Sequence, residues 1–297
     1  MMRALVAVLL LGSLTACAPA VDDRPLVVVT TNILGDVVQN VVGDEVEVMT
    51  LMRPNSDPHS FEISAREAAR ILGADLIVAN GLGLEEGLIQ HLSSAAEAGV
   101  PIVEAGEVIE VLDYSESGAP DPHFWTDPGR MLPVIEAVRD AVLEHVPGVD
   151  AETVTASAAA YAREVVELEA SMITAFETIA PEHRRLVTNH HVFGYLAERF
   201  GFEIVGAVIP GGSTLAAPSA SDLRDLVGAI NEAGVTTIFA ESSQPDRLVQ
   251  VLAEEADLRV TVTELYTESL SEADEPASSY LTMMRTNTER ITTGLAR

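Results

Sequence analysis

The sequence has no lysine, one cysteine and no long hydrophobic run. All 17 basic residues are arginines, which excludes chemistry that depends on a lysine, such as a Schiff base or a P-loop. The lone cysteine, Cys17, cannot form an intramolecular disulfide, so hydrophobic cores must hold the fold. Because the apolar runs are shorter than the roughly 20 residues of a membrane-spanning helix, no such helix is expected.

Basic residues are scarce beside acidic ones. The 297 residues include 46 Asp and Glu against 17 Arg, a formal net charge of −29. This excess argues against electrostatic binding to nucleic acid or anionic lipid, and it leaves cations, cationic partners and neutral ligands. With 47% hydrophobic and 21% charged residues, the composition is that of a globular protein. The length allows one large or two medium domains.

The first residues are typical of an exported protein. Arg3 precedes an apolar run at 4–11, the layout of a secretory signal. The following Leu14-Thr15-Ala16-Cys17 resembles the bacterial lipobox, in which the cysteine becomes the lipidated N-terminus. An ordinary signal peptide with an incidental Cys17 is the alternative. We predict a signal peptide at 1–16, an anchor and linker at 17–25, and a lipid anchor on the outer side of the cytoplasmic membrane.

Segments typical of buried strands alternate with segments typical of helices in the remaining chain. Strands are expected at 26–31, 46–52, 75–79, 101–103, 186–188, 203–209, 236–240 and 259–263. Helices are expected at 33–42, 64–72 and 86–96, near Ser221-Asp222 and Pro245-Asp246, and at 278–295. Because strands separated by helices of this length form βαβ units, the pattern predicts mainly parallel sheets.

Residues 150–180 interrupt this alternation. The segment contains no glycine or proline, and its large apolar residues recur mostly every three or four positions. This spacing predicts one amphipathic helix of roughly 45 Å. We therefore predict an α/β protein with two lobes, each a mainly parallel sheet flanked by helices, joined by one long rigid helix. The expected boundaries are 26–148, 149–181 and 182–297.

Three histidines occupy positions suited to a ligand. His59 and His123 each follow an Asp-Pro pair, in Asp57-Pro58-His59 and Asp121-Pro122-His123. Proline restricts its own φ and the conformation of the preceding residue, so this turn can aim an imidazole. His190 follows the strand expected at 186–188, at the sheet edge where ligands bind in open α/β folds.

Together these histidines predict a transition-metal site. Imidazole suits first-row transition metals, and one carboxylate would complete a tetrahedral zinc shell. Glu241 and Glu268 both lie near the ends of expected strands, so either is a candidate for that carboxylate. The three histidines in charged, helical surroundings are expected to be solvated: His91, His145 and His183.

The motifs resemble those of a known family, the metal-binding solute receptors of bacterial ABC importers for zinc and manganese. The resemblance extends from Val27 to the C-terminal helix. Its motifs are Thr30-Thr31-Asn32, Asp57-Pro58-His59, residues 74–85, residues 121–128 from Asp-Pro-His to Thr-Asp-Pro, residues 187–195 around Asn189-His190-His191, and Phe239-Ala240-Glu241-Ser242-Ser243. The fold that this resemblance implies is two α/β lobes bridged by one long helix.

The resemblance also implies a ligand set. Its members are His59, His123, His190 and Glu268, with Glu241 and His191 as supporting residues or alternative ligands. Since manganese-type members carry Glu where this chain has His190, the set favours Zn²⁺, with Mn²⁺ as the alternative. Two features depart from the family. Glu268 stands where Asp is common, and the His-rich loop of many zinc members is absent, because the loop at 113–120 offers only Asp113 and Glu116.

The expected function is a receptor that captures Zn²⁺ outside the cytoplasm and delivers it to an ABC permease. We expect a monomer and no enzymatic activity, and a metallochaperone is an open further partner. Alternatives are a manganese receptor, a surface adhesin lipoprotein and a secreted zinc hydrolase. A hydrolase needs an open coordination position and a general base. No His-Glu-x-x-His motif occurs, and Glu241 would serve as a base only if Glu268 does not coordinate.

Overall fold

The computed structural model describes residues 24–114, 117–209, 211–243, 247–255 and 260–296. The expected signal peptide, Cys17, Glu116 and the helix start at Pro245-Asp246 lie outside these residues. The strands are β1 (Leu26–Val29), β2 (Glu47–Thr50), β3 (Leu76–Ala79), β4 (Ile102–Glu104), β5 (Arg185–Thr188), β6 (Glu203–Ala207), β7 (Thr237–Glu241) and β8 (Thr261–Leu265). The helices are α1 (Asn32–Val42), α2 (Ala65–Ile71), α3 (Ile89–Glu97), α4 (Pro128–His145), α5 (Ala151–Phe176), α6 (Gly194–Phe200), α7 (Ala220–Ala233), α8 (Arg247–Glu255) and α9 (Tyr280–Leu295). In the described part of the chain, no helix has the length and apolar character needed to cross a membrane.

The strands form two separate sheets. The N-terminal lobe has the order β2-β1-β3-β4 and the C-terminal lobe has the order β6-β5-β7-β8. Every strand pairing within these sheets is parallel. The predicted α/β class, with two lobes and a long helix between them, is therefore confirmed.

The central strands of each sheet are buried on both faces. In β1, Val27 and Val29 face a large core that both lobes share, whereas Val28 faces a smaller core beneath α2 and α3. In the C-terminal lobe, Leu186 faces the shared core and Val187 faces a separate core beneath α7. Because successive strand residues point to opposite faces, a strand buried on both sides must be apolar at nearly every position.

Helix α5 lies at the centre of the shared core. Asp150 caps it by accepting a hydrogen bond from the Thr153 amide at 2.7 Å. The predicted apolar stripe is buried in that core: Val154, Tyr161, Val165, Leu168, Met172, Phe176 and Ile179. The helix has 26 residues and ends at Phe176, four residues before the predicted end. Ala180 is extended because Pro181 disfavours helical geometry in the residue before it.

Helix α4 is an element that the sequence analysis did not predict. Proline stands at its first position, Pro128, and again inside it at Pro133. The signal that could have revealed it is local. Asp127 accepts a hydrogen bond from the Gly129 amide at 2.9 Å, and proline is favoured directly after such a cap. Buried residues then recur at helical spacing: Met131, Val134, Ile135, Val138, Ala141 and Val142.

Candidate metal centre

Four side chains from separate loops meet between the two sheets. His59 follows β2, and His123 lies in the long connection from β4 to α4. His190 follows β5 and Glu268 follows β8. All four loops leave the carboxyl ends of parallel strands, the edge at which open α/β sheets bind ligands. One nitrogen or oxygen from each side chain lies within 4.8 Å of the others, and all four residues are buried.

The spacing of the four atoms is that of a small coordination shell. Glu268 Oε1 lies 3.0 Å from Nε2 of His59, 3.1 Å from Nε2 of His123 and 3.2 Å from Nε2 of His190. The Nε2 atom of His123 lies 3.4 Å from the Nε2 atoms of both other histidines. A tetrahedral ion with bonds of about 2.0 to 2.1 Å has ligand atoms about 3.3 Å apart. The site is therefore preformed at the size that such an ion needs.

The two Asp-Pro-His motifs form the same turn. Asp57 Oδ1 accepts a hydrogen bond from the His59 amide at 2.8 Å, and Asp121 Oδ1 accepts one from the His123 amide at 2.9 Å. An aspartate that bonds to the backbone two residues later closes a compact turn, and the proline between them stiffens it. The motif thus sets the direction of each imidazole within three residues of chain.

The outer nitrogens of two histidines contact carboxylates. His123 Nδ1 lies 2.7 Å from Asp121 Oδ1, and His190 Nδ1 lies 2.8 Å from Glu241 Oε2. The hydrogen bond at His123 favours the tautomer that leaves Nε2 as the acceptor, facing the centre. The contact of His190 with Glu241 is an ion pair without hydrogen-bond geometry, and His59 Nδ1 has neither a hydrogen bond nor an ion pair among the described residues. Glu241 therefore lies on the outer side of His190, apart from the four converging atoms.

The sequence leaves His190 and His191 as alternatives for one ligand position. The structure brings the side chain of His190 into the cluster, whereas that of His191 lies outside it and lines a neighbouring cleft. Likewise, Oε1 of Glu268 faces all three imidazoles, while Oε2 is buried without a hydrogen-bond partner among the described residues. The extra methylene of Glu, compared with Asp, still places one carboxylate oxygen at the centre.

The loop that carries Glu268 is bonded to the opposite lobe. Trp125 Nε1 donates to the Thr267 carbonyl at 2.8 Å. Asn32, at the start of α1, donates to Ser269 Oγ at 2.8 Å and accepts from the Leu270 amide at 2.9 Å. Sequence reasoning assigned no role to Asn32 or Trp125. Their presence in the Thr-Thr-Asn and His-Phe-Trp motifs was the available signal.

Electrostatics at the centre favour an ionised carboxylate. Burial opposes ionisation of Glu268, but the three imidazoles outweigh it and hold its pKa well below its usual range. Burial likewise opposes a charged imidazole, yet contacts with Asp121 and Glu268 raise the pKa of His123. Contacts with Glu268 and Glu241 raise the pKa of His190 well above its usual range. Protons therefore compete with a cation for these nitrogens.

The chain is similar over nearly its whole length to metal-binding proteins. Residues 27–294 match the family ZnuA, zinc-uptake complex component A, periplasmic. The chain is 31% identical to the zinc-binding protein TroA of Treponema pallidum, over 94% of this chain and 91% of TroA. It is 28% identical to the manganese-binding lipoprotein MntA of Halalkalibacterium halodurans, over 93% and 90% of the two chains. It is also 28% identical to the iron-binding protein YfeA of Yersinia pestis, over 99% and 96%.

The fold is similar to a solved structure of the same group. The structure of TroA superposes with a TM-score of 0.85 at 30% sequence identity, covering 92% of this chain and 100% of TroA. Sequence and fold thus agree on one class of protein, the receptors that bind a substrate for an ABC transporter. The chain belongs to the ZnuA family of periplasmic metal-uptake components, and it is a substrate-binding receptor and not an enzyme.

Proposed function

We propose that this protein captures Zn²⁺ between its lobes and delivers it to the permease of an ABC importer, with His59, His123, His190 and Glu268 as the ligands. The observation that carries the proposal is the group of three Nε2 atoms around Glu268 Oε1, at 3.0 to 3.2 Å. Four buried protein atoms at this spacing suit an ion that is tetrahedral and closed to water. Such a site stores a cation and does not activate a water molecule.

The donor set supports zinc over manganese. Three imidazoles and one carboxylate form a nitrogen-rich shell, whereas Mn²⁺ prefers shells richer in oxygen. Manganese remains the second candidate because MntA, a manganese-binding lipoprotein, is 28% identical to this chain. Because Zn²⁺ binds almost any nitrogen and oxygen site more tightly than Mn²⁺, growth under metal depletion separates the two better than direct competition does. We expect cells that lack the protein to grow worse than wild-type cells when zinc is depleted but not when manganese is depleted, and the opposite result would assign the receptor to manganese.

The test of the ligand set is metal stoichiometry. Purified protein is loaded with Zn²⁺, freed of excess metal and measured by elemental analysis. We expect one ion per chain, lost in each of His59→Ala, His123→Ala and His190→Ala. His183→Ala is the matched control, because His183 is exposed and lies outside the cluster. Zinc retained at full stoichiometry in all three cluster variants would refute the proposed ligands.

The proposed location is the outer side of the cytoplasmic membrane, with the lipidated Cys17 as the anchor. Support comes from the lipobox-like Leu14-Thr15-Ala16-Cys17 and from relatives named as lipoproteins, such as MntA. Cys17→Ala is expected to move the protein from the membrane fraction to the soluble fraction after cell disruption. An unchanged distribution between the two fractions would argue against the anchor.

A further inference from the structure

Tyr114 links the metal centre to both lobes, although it has no place in the ligand set. Its hydroxyl lies 3.0 Å from His123 Nδ1 and 3.1 Å from Asp121 Oδ1, both in the N-terminal lobe. The same hydroxyl lies 3.3 Å from the carbonyl oxygen of His191, which follows His190, one of the two proposed ligands in the C-terminal lobe. The hydroxyl has one proton. It can donate this proton to Asp121 within its own lobe or to the His191 carbonyl of the C-terminal lobe.

The backbone of Tyr114 makes hydrogen bonds through both its amide and its carbonyl. Its amide donates to the Ala119 carbonyl at 2.9 Å, and its carbonyl accepts from the Gly118 amide at 2.8 Å. Asp113 and Pro120 form an antiparallel bridge beside it. These contacts hold the backbone of Tyr114, so its ring is displaced most directly by rotation of the side chain.

Gly212, in the loop after β6, provides the space for the tyrosine ring. A Cβ built on Gly212 would lie 2.0 Å from the Tyr114 hydroxyl oxygen and 2.1 Å from Cζ. No real side chain tolerates such contacts, so any residue larger than glycine must push the ring away. The absence of a side chain at position 212 thus allows an N-terminal lobe tyrosine to close against a C-terminal lobe loop.

Tyr114 also lines a cleft between the lobes. The cleft has a volume of about 670 Å³, and Tyr114, Asp121 and His191 form part of its lining. Exposed carboxylates line it as well: Asp113, Asp222 and Asp225. These negatively charged side chains raise the local concentration of cations in the cleft. They do not by themselves constitute a binding site. Tyr114 is common to the cleft and to the hydrogen bonds around His123.

We propose that Tyr114 controls exchange of the metal ion between the buried centre and this acidic cleft. The inference rests on the proposed zinc site. With its hydroxyl bonded to Asp121 or to the His191 carbonyl, the ring stays against Gly212 and slows passage in both directions. When these bonds break, the ring swings away and cations pass between cleft and centre. Tyr114 acts through its position and does not coordinate the ion.

Two substitutions test this role by different means. Tyr114→Phe keeps the ring but removes the hydroxyl, and Gly212→Ala displaces the ring without changing Tyr114. Zinc uptake by the metal-free protein and zinc loss to excess chelator are both followed by stopped flow. We expect both rates to rise roughly tenfold in each variant, because losing about one hydrogen bond lowers the barrier by an amount that corresponds to a tenfold change in rate. One zinc ion should still bind per chain. Because both rates rise together, the dissociation constant should change much less than either rate.

A matched glycine provides the control. Gly228 lies in α7, and a Cβ at this position would meet nothing within 4 Å, so Gly228→Ala should exchange zinc at the wild-type rates. Faster loss with unchanged uptake would mean only a weakened site and would overturn the proposal, as would wild-type rates in both test variants. If the wild-type protein bound no zinc, the proposed function itself would fail. If Tyr114→Phe does not fold, Gly212→Ala carries the test alone.

Discussion

The three imidazoles of the metal centre present the same nitrogen inward but differ in what lies behind them. Asp121 is 2.7 Å from Nδ1 of His123, and Glu241 is 2.8 Å from Nδ1 of His190. Nδ1 of His59 has neither a hydrogen bond nor an ion pair among the described residues, and the contact at His190 is an ion pair without hydrogen-bond geometry. Because a carboxylate behind an imidazole fixes its tautomer and makes it a better ligand, the three positions should contribute unequally to metal affinity.

Glu241 offers a test of this inequality. Glu241→Gln keeps the size of the side chain but removes the charge that faces His190. We expect the affinity for zinc to fall by roughly 10- to 100-fold, the usual cost of losing such a partner. The measurement is competition with a chromophoric chelator of known affinity. Glu97→Gln, an exposed residue of α3, is the control, and equal affinities in the two variants would contradict the supporting role.

The dependence of zinc affinity on pH follows from the same contacts. The pKa values of His123 and His190 are raised in the metal-free site, so their protonated forms persist above the ordinary value of about 6.5. Zinc must displace these protons, and affinity should therefore decline as pH falls, starting above pH 6.5. The expectation from unperturbed histidines is a decline only below that value. Affinities measured between pH 5 and 9 distinguish the two, and a constant affinity down to pH 6.5 would contradict the shift.

Among the secondary structure elements, helix ends are encoded most clearly. Ser64, Ser219 and Ser279 each form a capping box, in which side chain and backbone bond reciprocally over three residues. The helix expected at 64–72 starts at the cap Ser64, whereas the cap of α7 is Ser219, two residues before the expected Ser221. The signal is local in each case, so the remaining error concerns which of several nearby serines serves as the cap.

Helix α1 packs closely on strand β2, so a larger residue at their contact should destabilise the fold. A Cβ at Gly35 would clash with the side chain of Thr50, so Gly35→Ala must rotate that side chain or shift α1 away from β2. We expect it to destabilise the fold by about 1 to 3 kcal/mol. Gly228→Ala is the opposite case, since its Cβ has open space and alanine favours helix by about 1 kcal/mol. Urea denaturation of both variants checks this, and equal stabilities would contradict the packing argument.

At the scale of the whole molecule, the two lobes share one hydrophobic core. That core includes Val27 of β1, Leu168 of α5, Leu265 of β8 and Ile291 of α9. Hydrogen bonds reinforce it across the lobes. Tyr280 of α9 donates its hydroxyl to the Trp125 carbonyl at 2.8 Å, and its amide donates to Asp36 of α1 at 2.9 Å. Opening the lobes as rigid bodies would expose this apolar surface, so metal exchange should proceed through loops near the centre.

The shared core predicts cooperative unfolding. We expect a single calorimetric transition for the metal-free protein, because neither lobe can unfold without exposing the other's core. Zinc should shift this transition upward, since the ion binds only the native site. Small-angle scattering should show nearly the same radius of gyration with and without zinc. Two separate transitions, or a marked compaction on binding, would contradict a joined pair of lobes.

The sequence by itself determined the fold class and the direction of the histidines. Apolar strands, helical periodicity and the Asp-Pro-His turn act over a few residues, so they can be read along the chain. The residue patterns by themselves left Glu241 and Glu268 as alternatives for the carboxylate, and the family resemblance favoured Glu268. The tertiary structure shows that Glu268 meets His59 across 209 residues, that Glu241 stands behind His190, and that Tyr114 closes against Gly212. These contacts depend on how two sheets pack around α5, and no local pattern specifies which distant loops that packing brings together.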